Sequence, residues 1–179
     1  AFHRDSKVYV NCLEHYQLNL NEIDIFQNKF NDIKPDILIH TAAHTNIDYC
    51  EMNQNNTKEL NYNFIKKLSK LCKNKTKFIF ISSDQIYGNS KIKNENSLEF
   101  KPLNFYGKNK LKSEIYIKKN NNDFINVRTN FFGTNIKKNR ISFIEWILKS
   151  LNKNNKIFLF NDYFFTPISN IQLSNNISK

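Results

Sequence analysis

The sequence predicts an α/β fold, a doubly wound parallel sheet with helices on both faces. Three observations predict it. Short runs of β-branched and aromatic residues recur along the chain, amphipathic helical stretches lie between them, and the two alternate regularly. Such alternation marks βαβ units, whose crossovers cover a sheet with helices.

Lys7 to Asn11 (KVYVN) reads as a first short strand. A helix opens over Leu18 to Glu22, with Asn21 as candidate cap. It carries Ile23, Phe26, Phe30 and Ile33 near helical spacing until Pro35 closes it. Asp36 to Ala43 (DILIHTAA) has an uninterrupted apolar centre, as in a strand covered on both faces. Asn53 to Asn74 is the longest helical segment, and its stripe of Leu60, Phe64, Leu68 and Leu71 reads as core. Lys77 to Ser83 (KFIFISS) is a second buried strand, followed by a helix over Asn104 to Lys119. Asp123 to Thr129 (DFINVRT) is a third, Ile141 to Leu151 an amphipathic helix, and Lys156 to Phe160 (KIFLF) a final strand candidate. Asn-rich clusters at 120–122 and 152–155 read as loops. With no repeat and no Gly/Ser linker, no domain boundary is expected inside the chain.

Composition narrows the function. A hydrophobic share of 40% over 179 residues supports a folded core rather than a disordered chain. No apolar run approaches the roughly 20 residues of a membrane span, and the first residues form no signal peptide. Cys12, Cys50 and Cys72 have neither metal nor disulfide spacing, which places the expected home in a reducing cytoplasm and predicts no metal site. The net charge of +11 invites a nucleic-acid reading. Lysine, however, is spread along the chain with Asn and Ile, and no nucleic-acid motif accompanies it. Neither nucleic acid nor membrane is the expected partner.

Ligands of open α/β sheets bind beyond the carboxyl ends of the strands. Three features fall at that edge. Thr41, Ala42, Ala43, His44 and Thr45 follow DILIH, and small residues there would let a nucleotide lie against the backbone. Ser83 and Asp84 follow KFIFIS, where a hydroxyl can hydrogen-bond a carbonyl; an isolated Ser-Ser-Asp is more often a turn or cap. Tyr106 and Lys110 form a Tyr-x-x-x-Lys pair near a helix start, on one helical face. A free tyrosine has a pKa of about 10, and a nearby ammonium stabilises its phenolate and lowers that value.

Taken together, the order of small-residue strand end, Ser-Ser-Asp and Tyr-x-x-x-Lys resembles the extended short-chain dehydrogenase/reductases. The wording resembles the bacterial dTDP-4-dehydrorhamnose reductases. It does so over Lys34 to Asp48 with Cys50-Glu51, over Phe80 to Gly88, and over Pro102 to Glu114. It continues at Arg128 to Gly133, Asn161-Asp162 and Thr166-Pro167. The resemblance implies a Rossmann-like domain with Tyr106 as proton donor to the sugar C4 oxygen. Lys110 would hold the nicotinamide ribose and lower the tyrosine pKa, and Ser83 would hydrogen-bond the reacting carbonyl. Leu20, Ala42, Ala43, His44 and Thr45 would border the cofactor, together with Tyr106 and Lys110. Ser83, Asp84 and Phe131 would meet the substrate, Phe131 standing where the family often has Trp. NADPH or NADH would be the cofactor and dTDP-4-dehydrorhamnose the substrate, with dTDP-rhamnose as product. A homodimer is compatible.

The chain departs from that pattern in lacking a Gly-x-x-Gly-x-x-Gly turn; its three glycines are Gly88, Gly107 and Gly133. The expected chain is therefore a partial Rossmann domain over 1–179, without the family's first strand and glycine turn. The substrate-binding region would begin near 129–179, and the family's small C-terminal domain would be incomplete. Such a chain is expected to bind dinucleotide poorly. Two other readings share these residues: a sugar-nucleotide epimerase or dehydratase of the same superfamily, and a non-catalytic nucleotide-binding regulatory protein.

Overall fold

Strands and helices alternate in the computed structural model, which describes residues 2–3, 16–17, 22–88, 99–133, 141–159, 161 and 166–179. They fall into two compact units, Ala1–Val127 and Arg128–Lys179.

In the first unit, β1 (Phe2–His3) and β2 (Tyr16–Gln17) pair in parallel. The strand expected over 7–11 lies outside the described residues. Helix α1 (Ile23–Ile33) starts from Glu22, whose side chain makes no capping bond; Asn21, the expected cap, is also outside the described residues. The helix ends where Lys34 turns left-handed (φ 48°) and donates its N–H to the Phe30 carbonyl, just before Pro35. Phe26 and Phe30 are buried, whereas Ile33 is exposed.

Strands β3 (Ile37–His40), β4 (Lys77–Ile81) and β5 (Phe124–Val127) form a parallel sheet with β4 in the centre. The register aligns Leu38, Phe78 and Phe124 in one row and His40, Phe80 and Asn126 in the next. Phe78 and Phe80 build the core with Phe26, Phe30, Phe64, Ile65, Leu68, Cys72 and Ile117. The strand period of two turns Ile37, Ile39 and Ile125 to the other face, where they are 53%, 48% and 46% exposed. The expectation that DILIHTAA is covered on both faces is therefore corrected for β3, whose Ile37 and Ile39 are about half exposed.

Between β3 and β4 the chain first forms α2 (Ile47–Met52), which the sequence reading did not foresee. Asn46 caps it, accepting the Tyr49 N–H at 2.7 Å. The expected long helix follows as α3 (Gln54–Lys58), a π turn (Glu59–Asn63) and α4 (Phe64–Cys72). Its buried line runs Thr57, Asn61, Phe64 and Ile65, Leu68 and Ser69, Cys72, leaving Leu60 and Leu71 only half-buried. The stripe read from the apolar residues alone is displaced because the polar Thr57, Asn61 and Ser69 share the buried face in place of Leu60 and Leu71. After β4 come a short 3₁₀ turn (Asp84–Ile86) and α5 (Phe105–Asn120), which leads into β5.

The second unit holds β6 (Asn130–Phe132), α6 (Phe143–Asn152), β7 (Pro167–Ser169) and α7 (Asn170–Ile177), with β6 parallel to β7. A capping box between Ser142 and Glu145 opens α6. Residues 156–159 form no strand, contrary to the reading of KIFLF, and Phe158 is 93% exposed. The described partner of β6 is β7 instead. No described helix is long and apolar enough to cross a membrane.

The two sheet faces differ in a measurable way. Phe78→Ala, at a fully buried core position, should cost about 3–5 kcal/mol. Ile37→Ala should cost about 1 kcal/mol or less. Urea midpoints of the two variants read the difference, and equal losses would mean that Ile37 is packed as fully as Phe78.

Candidate active site

A parallel sheet carries all its carboxyl ends at one edge, and three of the foreseen segments meet there. The central strand β4 runs into Ser82 and Ser83. Ser83 then caps the 3₁₀ turn: its Oγ accepts the Gln85 N–H at 3.2 Å and lies 3.3 Å from Asp84 Oδ1, to which it donates. This side chain thus serves as a turn cap as well as a candidate ligand of the substrate. It also lies near enough to Tyr106 to ease the ionisation of its phenol.

Tyr106 arrives at Ser83 because α5 starts there. Asn104 caps that helix by accepting the Gly107 N–H at 2.7 Å, and its amide donates to Gln85 Oε1 at 3.0 Å. Gly107 is the residue that permits the approach. A Cβ at this position would stand 2.7 Å from the Gln85 carbonyl oxygen. One turn further along, Lys110 is 3% exposed and its Nζ donates to the Ile81 carbonyl at 2.7 Å. The same ammonium lies 4.6 Å from the Phe80 ring centroid and 5.8 Å from that of Tyr106.

Burial governs the electrostatics of the pair. It pushes the Tyr106 phenol up to about 12; the Ser83 hydroxyl opposes this, while Cys50 and Asp84 add to it. Burial also brings Lys110 down to about 8, against the pull of Glu114. The expected lowering of the tyrosine is therefore not what the protein groups produce by themselves. The ammonium is committed to the Ile81 carbonyl and faces the tyrosine ring rather than closing on its oxygen.

At the neighbouring strand end Ala42, Ala43 and His44 are half-buried, with Thr41 and Thr45 exposed. Asn61, in the π turn, holds this segment by both of its amide groups: Oδ1 accepts the His44 N–H at 2.9 Å and Nδ2 donates to the His44 carbonyl at 2.8 Å. Its own carbonyl accepts the Ser113 hydroxyl at 2.8 Å, which ties it to α5. Sequence reasoning missed Asn61. The available signal was a lone amide on the helix line of Thr57, Ile65 and Cys72, a face that is otherwise suited to burial. It also missed His40, which is buried beneath this segment and held neutral, its pKa lowered to about 3 by burial and then by Lys110.

Ser83, Asp84, Tyr106 and Lys110 are thus brought together at the end of β4, and Ala42 to Thr45 lie on the end of the adjoining strand. Phe131 stands on β6 in the second unit with its ring exposed. Leu20 and Asp162 lie outside the described residues.

Comparison with known proteins gives a consistent picture. The whole chain, residues 1–179, matches the family described as the RmlD substrate binding domain. A curated relative from Haloferax volcanii, the probable low-salt glycan biosynthesis reductase Agl14, is 25% identical over 171 residues, covering 93% of this chain and 56% of its own length. A dTDP-4-dehydrorhamnose reductase from Bacillus anthracis, solved in complex with NADP, superposes with a TM-score of 0.81 at 22% identity, over 92% of this chain and 59% of that one. The dTDP-4-dehydrorhamnose reductase of Clostridium acetobutylicum gives 0.77 at 25% identity, over 95% and 62%. The chain therefore spans somewhat over half the length of these relatives. The likeness at 22% identity carries the fold alone.

The low pKa of Lys110 has a consequence for stability. Its folded value of about 8 lies below the ordinary 10.5, so between these values the unfolded chain keeps a proton that the folded one has lost. Stability then rises with pH across that window. Tyr106, raised from 10 to about 12, has the opposite effect only above pH 10. From pH 8 to 10 wild type should gain about 2 kcal/mol relative to Lys110→Met in urea unfolding. A difference between the two that is flat with pH would contradict the burial of the charge.

Proposed function

Because the chain belongs to the RmlD substrate binding domain family, we propose that the protein reduces the 4-keto group of a deoxy-sugar nucleotide with NADPH or NADH. The reaction its sequence favours is dTDP-4-dehydrorhamnose to dTDP-rhamnose, a step toward cell-surface polysaccharide precursors. One observation carries this reading: a buried tyrosine beside a serine at the carboxyl end of the central strand, with a buried lysine one turn below. Such a set can hold a carbonyl oxygen and deliver a proton to it.

In this reading Ser83 orients the C4 carbonyl by a hydrogen bond. Tyr106 donates its proton to the oxygen as that atom gains charge. Lys110 offsets the phenolate left behind, which burial would otherwise make costly. Asp84 meets the sugar. Residues 1–179 constitute part of an NAD(P)-binding Rossmann domain, and the substrate region begins near 129–179.

The residues present fit the nicotinamide end of a dinucleotide. Ala42 and Ala43 leave the strand end without bulky side chains, and Lys110 sets a cation at the same edge. Lys110 would hold the nicotinamide ribose, and Leu20, Ala42, Ala43, His44 and Thr45 would border the rest. The bound reduced nicotinamide would supply the hydride. Support for such a partner comes from the NADP held by the Bacillus reductase.

The test is consumption of NADPH or NADH by the purified protein with dTDP-4-dehydrorhamnose. Tyr106→Phe should lower the rate by roughly 10²–10⁴ while leaving dinucleotide binding within about twofold. Reduction that survives this substitution at the original rate would remove Tyr106 as proton donor.

A further inference from the structure

The helix that carries Tyr106 is fastened from a distance. The first N–H groups of any helix lack partners within it. In α5 the cap residue Asn104 satisfies only one of these, that of Gly107. A carboxylate three residues after the cap often adds a second fastening at this end. Here that position is Gly107, which can bear no side chain because a Cβ would stand 2.7 Å from the Gln85 carbonyl oxygen. Close approach to the Ser83 turn has removed the local solution.

Glu51 supplies a carboxylate to a different donor of the same turn. Its Oε1 accepts the Phe105 N–H at 2.5 Å, across a sequence separation of 54 residues. Phe105 immediately precedes Tyr106. Glu51 itself has a fixed base, since α2 is capped by Asn46 and its Cys50 is fully buried, with Sγ 3.4 Å from the His44 carbonyl. His44 is in turn gripped on both sides by Asn61. A negative charge at a helix N-terminus is favourable, and a charged acceptor strengthens the bond. The Glu51 side chain is exposed, so the core does not rest on it.

We propose that Glu51 is a positioning residue for Tyr106: by accepting the Phe105 N–H it fixes the first turn of α5, and with it the place of the tyrosine hydroxyl beside Ser83. The contact stands on geometry alone, while its catalytic consequence rests on the reductase reading above. Small displacements of a reacting group cost rate steeply.

Glu51→Ala and Glu51→Gln in the whole chain test this by two readouts, amide hydrogen exchange at Phe105 and steady-state reduction of the 4-keto sugar nucleotide. In the Ala variant Phe105 exchange should rise roughly tenfold, as for loss of a cap. Its kcat should fall by about tenfold with KM for the dinucleotide unchanged. The Gln variant keeps an acceptor oxygen and should stay within about threefold of wild type in both. Unchanged Phe105 exchange in the Ala variant overturns the proposal. So does a Gln variant that falls as far as Ala, or a kcat that holds although the amide is released. If wild type reduces no keto sugar, the reductase reading fails; Phe105 exchange still decides whether Glu51 holds the turn.

Discussion

A buried ammonium bonded to one strand carbonyl sets the geometry of this site. Lys110 is almost wholly buried, and an interior charge is tolerable only where it is hydrogen-bonded or paired. Its bond to the Ile81 carbonyl meets that need and places α5 over the end of β4. The helical repeat then dictates the rest of the line. Tyr106 falls one turn toward the N-terminus, beyond the strand end and beside Ser83. Ser113 falls one turn the other way and reaches the Asn61 carbonyl, and Ile117 enters the core. Moving Lys110 off Ile81 would displace each of these contacts together.

Asn61 performs the matching task at the neighbouring strand. The segment after β3 has no ladder partner among the described strands, so its backbone groups need other acceptors and donors. The amide of Asn61 offers one of each and takes both the N–H and the carbonyl of His44. The π turn frees the helix backbone locally, and the Asn61 carbonyl goes to Ser113. One residue therefore joins the small-residue edge to the tyrosine helix. Glu51 closes the same circuit from the other side, through Phe105.

The parts legible in the sequence were those in which one local pattern decides the outcome. KFIFISS reads as a central strand because its apolar run has no helical phase, and it lies at the middle of the sheet. The long helix before it was equally plain, but its buried line was not, since Thr57, Asn61 and Ser69 are polar residues that composition assigns to solvent. The tyrosine helix was found through Tyr-x-x-x-Lys rather than through its core. Its buried residues include Tyr106, Asn109, Lys110, Ser113 and Glu114, which a hydrophobic pattern would assign to solvent. KIFLF misled for the opposite reason: strand formation needs a partner, and β6 is paired with Pro167–Ser169, a run too short to signal itself. The Glu51 contact joins residues too far apart in the chain for any spacing rule.

The charge states set by burial suit one direction of proton transfer in the proposed reduction. A donor must begin protonated, and a tyrosine raised to about 12 remains a phenol across the neutral range. The cost of burial appears only after the proton leaves, when a phenolate stands in a low-dielectric site. There Lys110, with a value of about 8, is still largely an ammonium near neutrality and can offset the charge. In the resting site that ammonium is turned to the Ile81 carbonyl, 5.8 Å from the tyrosine ring centroid. Its attraction to a phenolate is therefore an interaction that strengthens as the reaction proceeds, while little is gained in the ground state. That difference, rather than a low tyrosine pKa at rest, is what would accelerate the step.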